Sequence, residues 1–293
     1  MDKKIKLGGK IIFNEVLARR TSLGIGGKCE LWAEPKNEND LKRVLAYAEA
    51  AKMKIFVIGN GTNVLAPDGG FKGIVVHLGN KYFKKVSIKK CLVKSGAGIS
   101  LSELISKTCE KGCGGLEGLS GIPGTLGGAI FMNASYKARI SDFLQSVKVM
   151  DKKTQRIKSF QKNDFTFNYR ASRLGKYVIL EASLKLKREH SSKLREQKKR
   201  LLEMRKNTQP VWEKSAGCVF KNPKNKFAAG YYIEKARLKG KRIGTASVSG
   251  KHANYIVTAK NPSSRDFLKL MNLVKKKVNK KFGIDLKPEI IVI

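Results

Sequence analysis

Two glycine-dense segments carry the first chemical signal in this sequence. Gly59-Asn60-Gly61-Thr62-Asn63 follows directly on the apolar run Lys54-Ile55-Phe56-Val57-Ile58. Such a loop offers successive backbone N–H groups with no side chain in the way, a nest suited to a pyrophosphate. It is not a G-x-G-x-x-G fingerprint, because Asn63 stands where a further glycine-spaced residue would fall and no long helix follows; nor is it a Walker A loop, because it lacks Gly-Lys-Ser/Thr. The second segment is Ser120-Gly121-Ile122-Pro123-Gly124-Thr125-Leu126-Gly127-Gly128-Ala129, with Asn133-Ala134 just beyond. Glycines grouped around one proline give a turn of fixed shape whose backbone can approach a ligand closely, and Thr125 adds a hydroxyl donor. A plain tight turn needs only one or two glycines. Two such loops separated by a βα unit point to a phosphorylated cofactor of nucleotide type, held between two small lobes.

The elements that must position these loops can be read from periodicity. Residues 40–51 place Leu41, Val44, Leu45 and Ala48 at helical spacing, with Asn39 or Asp40 available as the cap. Strands are expected at 54–58, 73–78 and 90–95, and a helix at 101–111, where Ser100 and Glu103 have capping-box spacing. Residues 144–149, 156–160 and 177–186 read as antiparallel strands separated by polar turns, and 193–205 as a connecting helix. Beyond it, helices are expected at 229–238 and 263–282 and strands at 253–258 and 289–293. No internal repeat is visible.

The 293 residues include 61 Lys+Arg against 23 Asp+Glu, a formal net charge of +38, with 41% apolar and 8% aromatic residues. That apolar share supports a packed core and excludes a chain disordered throughout. No uninterrupted apolar stretch is long enough for a membrane span, and the lysine-rich residues 1–12 contain no apolar block of signal-peptide length, so export is not expected. The positive field makes a polyanion-binding protein the first hypothesis from composition. The basic residues are dispersed, however, and in the densest run, 185–206, Leu194, Leu201, Leu202 and Met204 recur at roughly helical spacing. This reads as an exposed helix with one anchored face, a solvated basic surface rather than a nucleic-acid site. Heavy use of lysine throughout is explained as well by compositional bias as by function.

Five cysteines, Cys29, Cys91, Cys109, Cys113 and Cys218, are odd in number and scattered, a pattern that fits a reducing cytosol better than a disulfide framework. Cys109 and Cys113 have no second pair and no nearby histidine, so they lack a zinc-site pattern and are expected on one helix face, buried or inert. No metal is expected.

The glycine loops, taken with later segments, resemble the UDP-N-acetylenolpyruvoylglucosamine reductase family, flavoenzymes that make UDP-N-acetylmuramate for peptidoglycan. The matching segments are Thr21-Ser22-Leu23-Gly24-Ile25-Gly26-Gly27, 58–65, 118–134, Asn168-Tyr169-Arg170-Ala171-Ser172-Arg173, Ser215-Ala216-Gly217-Cys218-Val219-Phe220-Lys221-Asn222-Pro223, Leu238-Lys239-Gly240, Lys251-His252-Ala253-Asn254 and Pro288-Glu289. They occur in the family's order over almost the whole chain, which is far more specific than any one loop. The resemblance is closer to the shorter branch, which lacks a substrate-capping insertion. Two departures stand out: Arg20 where the family usually has asparagine, and Cys218 where most members have serine.

The resemblance implies an α+β protein with an FAD-binding fold of the vanillyl-alcohol-oxidase (PCMH) type in two lobes, 1–79 and 80–190, plus an α+β substrate-binding domain at 191–284. The terminal strand, about 285–293, is expected to return to the first lobe. FAD would be bound by Gly59, Asn60, Gly61, Thr62, Asn63, Gly121, Pro123, Gly124, Thr125, Gly127 and Gly128. NADPH would reduce it, and UDP-N-acetylglucosamine enolpyruvate would then be reduced. Arg170 has the fixed charge and planar fork to bind the substrate carboxylate and the developing enolate. Cys218 is implied as the proton donor, since a thiol with a reference pKa of about 8.5 is a stronger acid than a hydroxyl. Glu289 is implied as a carboxyl that hydrogen-bonds the enolate in its acid form. Tyr169, Asn222, Lys226 and His252 align with the sugar-nucleotide pocket, although a histidine before Ala253-Asn254-Tyr255 could equally be a satisfied structural residue. The implied protein is a cytoplasmic monomer with no nucleic-acid or membrane partner. The rival from another class is a polyanion-binding protein that keeps the flavoprotein scaffold without its activity.

Overall fold

The computed structural model describes residues 7–164, 166–224 and 226–293; residues 1–6, part of the stretch read above against a signal segment, lie outside it. Two compact units divide the chain. The first comprises the described residues up to Asn14 with Glu30–Asn60 and Lys72–Glu203; the second comprises Glu15–Cys29, Gly61–Phe71 and Met204–Ile293.

In the first unit, helix α1 (Glu38–Ala50) buries Leu41, Val44, Leu45 and Ala48, as its spacing predicts. Its cap is Asn37, whose side chain accepts from the Asp40 N–H, and not Asn39 or Asp40. Asp40 is unavailable for that role because its carboxylate accepts from the N–H groups of Lys36 and Gly8. A four-stranded sheet has the order Lys10–Val16, Lys28–Glu34, Phe71–His77, Lys54–Ile58. The last two are parallel with Ile58 opposite His77, which delivers the chain to Gly59. The first two strands escape a reading by apolar pattern; in Lys10–Val16 only Glu15 is fully buried.

A five-stranded antiparallel sheet has the order Ile157–Gln161, Leu144–Asp151, Tyr177–Lys185, Leu92–Gly96, Val86–Lys89. Helix α2 (Leu101–Glu110) starts as expected, with the Glu103 N–H donating to Ser100 Oγ. Helices α3 (Leu126–Phe131) and α4 (Ile140–Phe143) follow, then the basic helix α5 (Ser191–Thr208). Leu194 anchors α5 in the core while Lys193, Arg195, Lys199, Arg200 and Lys206 are exposed, the solvated face expected. Short connections between Ala171–Ser172, Tyr177–Lys185, Lys187–Arg188 and α5 leave no room for a capping insertion. One hydrophobic cluster runs from Leu31, Val44 and Ile74 to Leu104, Val147, Leu184 and Leu194, so this unit takes in most of both expected lobes.

The cysteines depart from expectation. Cys91 and Cys113 form a disulfide, and only Cys29, Cys109 and Cys218 are free thiols. Cys109 lies in α2, but Gly112, at φ +64°, turns the chain out of the helix and carries Cys113 into a short strand paired with Lys187–Arg188. The common helix face is therefore never formed. Burial pushes the Cys29 and Cys109 thiols up to about 11. Among the described residues, no group of three His, Cys, Asp or Glu side chains could hold a metal ion, and no helix is long and apolar enough to cross a membrane.

The second unit is built on a four-stranded antiparallel sheet, order Lys214–Cys218, Tyr255–Thr258, Ala246–Val248, Arg242–Ile243. Against it lie α6 (Ala229–Lys235), shorter than expected, and α7 (Ser264–Phe282), which buries Phe267, Leu270, Met271, Val274 and Val278. Asp68 accepts from the Ser264 and Arg265 N–H groups and the Ser263 hydroxyl at the start of α7. Burial alone would raise its carboxyl, but these donors outweigh it and hold it below the ordinary range. Ile291–Val292 pairs in parallel with Val64–Leu65. Leu23, Ile25 and Leu65 share a core with Phe220, Phe267 and Ile290, which explains why 15–29 and 61–71 group with the C-terminal segment.

Candidate active site

In the first unit, Phe167–Asn168 and Ala171–Ser172 form a minimal antiparallel ladder with Asn168 opposite Ala171, so Tyr169 and Arg170 are its two-residue turn. Arg170 has φ +54°, at a turn position that favours glycine. For a side chain with Cβ this conformation costs on the order of 1 kcal/mol. Its Nη1 donates to the Ser135 carbonyl at 3.2 Å, and its guanidinium carbon lies 5.6 Å from the centre of the exposed Tyr169 ring.

The loop at 120–128 has a closely fixed backbone path and unspent capacity. Gly121 (φ +79°) and Gly124 (φ +124°) have the backbone their residue type allows. Thr125 caps α3, accepting from the Gly128 N–H, and a Cβ on Gly59 would fall 2.6 Å from its Oγ1. Gly127 packs against Ala97, whose Cβ a side chain would meet at 3.0 Å. Gly128 has no such need: a Cβ there would find only Thr125 Oγ1, at 3.5 Å, although alanine is the better helix former by about 1 kcal/mol. Two buried polar atoms, Ser120 Oγ and Asn133 Oδ1, have no protein partner. The open Gly128 and the orphan Ser120 hydroxyl, both in the loop itself, fit a bound polar cofactor such as FAD.

In the second unit, the ladder between Lys214–Cys218 and its neighbour slips between Ser215, opposite Val257, and Cys218, opposite Tyr255. Ala216 and Gly217 form the resulting bulge, with Gly217 at φ +75°. The bulge takes Cys218, half-buried, out of the regular alternation. Asn254, 3% exposed, pins the next residues. Its Oδ1 accepts from the Phe220 N–H, its Nδ2 donates to the Phe220 carbonyl, and its own carbonyl accepts from the Val219 N–H. The motif reading placed weight on His252 and missed Asn254, although both stand in the same matching segment.

Glu289 is brought by its backbone beside Val219, the residue after Cys218. Its N–H donates to the Val219 carbonyl at 2.8 Å, Phe220 bridges Pro288, and the Lys221 N–H donates to the Lys287 carbonyl. Asn63 stands behind it: its Nδ2 donates to the Glu289 carbonyl and its carbonyl accepts from the Ile291 N–H. Asn63 thus spends its amide on the Glu289 strand. Gly61 (φ +64°) is required by close approach, since a Cβ would lie 2.0 Å from the Arg20 carbonyl oxygen. Arg20, the departure from the family pattern, is paired with Glu15 at 2.7 Å.

Of the expected sugar-nucleotide contacts, Tyr169 and Lys226 are exposed. Asn222 Oδ1 accepts from the Ala229 N–H at the start of α6. His252 is largely a structural residue: its Nδ1 accepts from the Asn254 N–H and its ring packs edge-on against Tyr255. Burial, with the Lys239 and Arg205 charges, lowers its pKa and favours the neutral ring.

The family model described as "FAD binding domain" matches residues 30–159, and that described as "UDP-N-acetylenolpyruvoylglucosamine reductase, C-terminal domain" matches 209–293. The UDP-N-acetylenolpyruvoylglucosamine reductase of Caldanaerobacter subterraneus is 36% identical over 293 residues, covering 99% of this chain and 96% of that one. That of Protochlamydia amoebophila is 37% identical over 289 residues, covering 98% and 95%. The crystal structure of the Thermus caldophilus reductase superposes with TM-score 0.82 at 30% identity, covering 98% of this chain and 99% of that one. A fold likeness alone extends to 6-hydroxy-D-nicotine oxidase from Arthrobacter nicotinovorans, TM-score 0.50 at 15% identity over 64% of this chain and 44% of that one. With the FAD-binding α+β architecture and nearly complete coverage in both directions, the chain belongs to the UDP-N-acetylenolpyruvoylglucosamine reductase family.

Proposed function

We propose that this chain reduces UDP-N-acetylglucosamine enolpyruvate to UDP-N-acetylmuramate for peptidoglycan synthesis, in the cytoplasm, as an NADPH-oxidising flavoenzyme. The observation that carries this reading is the backbone pairing of the Cys218 and Glu289 segments in a chain of this family. The Cys91–Cys113 disulfide removes the cysteine pattern as an argument for the cytoplasm, which rests instead on nucleotide-linked substrates. The reading takes the enzyme to act as a monomer.

Bound FAD would supply two-electron hydride chemistry between NADPH and the enolpyruvyl double bond. Gly59, Asn60, Gly61, Thr62, Asn63, Gly121 and Gly124 would hold it through backbone N–H groups, with Pro123 fixing the turn, Thr125 adding its hydroxyl, and Gly127 and Gly128 allowing close approach. Arg170 binds the substrate carboxylate and stabilises the charge that develops beside it. Cys218 gives its thiol proton to the carbon that gains electron density, which requires the thiol, not the thiolate, as the resting form. Glu289 in its acid form hydrogen-bonds the enolate oxygen, since an ionised carboxylate would repel it. Tyr169 and Lys226 contact the nucleotide sugar directly, whereas Asn222 and His252 contribute by holding α6 and Asn254 in place.

The test is a pair of anaerobic half-reactions on purified protein. The sample should be yellow, NADPH should bleach the flavin, and UDP-N-acetylglucosamine enolpyruvate should restore its colour. Colourless protein that binds DNA at physiological salt would establish the polyanion-binding alternative.

A further inference from the structure

The Tyr169–Arg170 turn is held at three points by one segment of the same unit. The Ser172 hydroxyl donates to the Phe131 carbonyl at 2.9 Å, Asn133 Nδ2 donates to the Asn168 carbonyl at 3.1 Å, and Arg170 Nη1 donates to the Ser135 carbonyl at 3.2 Å. Residues 131, 133 and 135 alternate along the chain, so every second residue after the glycine loop faces the turn. Of the three contacts, only that of Asn133 is made by a side chain of the supporting segment. Asn133 is 6% exposed and itself has φ +45°, one of the few conformations in which asparagine replaces glycine at low cost. The Asn168 carbonyl belongs to the peptide that opens the turn, and its orientation sets the two residues after it. A short ladder of two residue pairs cannot by itself hold an arginine at φ +54° against the extended or helical alternatives.

We propose that Asn133 is a positioning residue for Arg170: its amide fixes the peptide ahead of Tyr169, keeps Arg170 in the left-handed turn conformation, and so registers the guanidinium to the segment that continues the glycine loop. The proposal rests on the reading of Arg170 as the group that binds the substrate carboxylate. It adds a residue outside the reacting groups on which the second half-reaction depends. A misplacement of about 1 Å in such a group is enough to cost about 100-fold in rate.

The experiment compares Asn133→Gly, Arg170→Ala and the double variant as holoenzymes. Glycine keeps the left-handed backbone accessible and removes only the amide, which limits damage to the fold. Flavin content is read from visible absorbance, and the two half-reactions are followed separately by stopped flow. Expected are unchanged flavin content and NADPH-driven reduction in Asn133→Gly, with reoxidation by the enolpyruvyl substrate slowed about 10- to 100-fold. In the Arg170→Ala background, removing the Asn133 amide should slow reoxidation no further. Reoxidation of Asn133→Gly at the parent rate, loss of its flavin, or full additive slowing in the double variant would each overturn the proposal. Parent-rate reoxidation by Arg170→Ala alone would instead overturn the Arg170 reading, and the positioning role with it.

Discussion

The backbone N–H of Glu289 donates to the carbonyl of Val219 across 2.8 Å, although the two residues are far apart in the chain. This bond sets the second proposed acid directly beside the residue that follows Cys218. Asn254 holds that segment from one side and Asn63 holds the Glu289 strand from the other, each through its side-chain amide. The segments that carry the two proposed acids are thereby tied together through backbone hydrogen bonds and two buttressing asparagine amides.

The proton-donor role proposed for Cys218 predicts a divergence between two small substitutions. Cys218→Ser should keep reoxidation within about tenfold of the parent, while Cys218→Ala should slow it by about 10²- to 10⁴-fold, with flavin reduction by NADPH fast in both. Equal reoxidation rates in the serine and alanine variants would remove Cys218 from the mechanism. The parent should also lose reoxidation on treatment with a thiol reagent, and Cys218→Ser should resist it.

Two glycines assigned to the cofactor should separate cleanly. Gly61→Ala places a Cβ against the Arg20 carbonyl at a left-handed position, so a loss of at least about 2 kcal/mol in unfolding free energy is expected whether or not flavin is bound. Gly128→Ala meets nothing closer than 3.5 Å and should leave the apoprotein as stable as before. Its effect should appear only as weaker flavin retention. Denaturant titration of the apoproteins beside flavin titration distinguishes these outcomes, and a destabilised Gly128→Ala apoprotein would contradict the assignment.

His252 predicts a pH dependence of stability. Burial keeps its folded-state pKa below the unfolded value of about 6.5, so its contribution is fully present above that value. As pH falls below it, the unfolded chain takes up a proton that the folded ring resists, and stability declines until the folded pKa is passed. Urea denaturation between about pH 7.5 and about pH 5.5 should show this decline, and His252→Gln should flatten it. An unchanged slope in the variant would mean that other groups govern the acid limb.

The disulfide predicts redox-dependent stability. Closing a sequence separation of 22 residues should contribute about 3 kcal/mol, lost on reduction or in Cys113→Ala. Alkylation of the unreduced, denatured protein should label Cys29, Cys109 and Cys218 and spare Cys91 and Cys113. Labelling of all five, with no change in stability on adding reductant, would show that the bond is absent in solution.

Local pattern was legible where it had a local cause. The Ser100 cap, the amphipathic faces of α1 and α7, and the strand leading to Gly59 follow from spacing and propensity, and they appear where that spacing puts them. The proposed catalytic set was readable only as ordered motifs, because an arginine, a cysteine and a glutamate scattered over the chain have no local signature of working together. Lys10–Val16 was missed because its short apolar run, Ile11-Ile12-Phe13, has no alternation of apolar and polar residues, and the residue it buries is Glu15.

Residue type and order were enough to determine the family, the α+β class and the glycine loops, and to nominate the residues proposed as reacting groups. Tertiary structure decided how individual residues are used. It showed that Asn63 and His252 each make a scaffold hydrogen bond, revealed Asn254 and Asn133 as supports, and traced the need for Gly61 to a carbonyl from Arg20. It also joined two cysteines that lay in unrelated local patterns. The physical reason is that hydrogen bonds and close contacts between residues distant in the chain depend on the folded path, which spacing along the sequence does not encode.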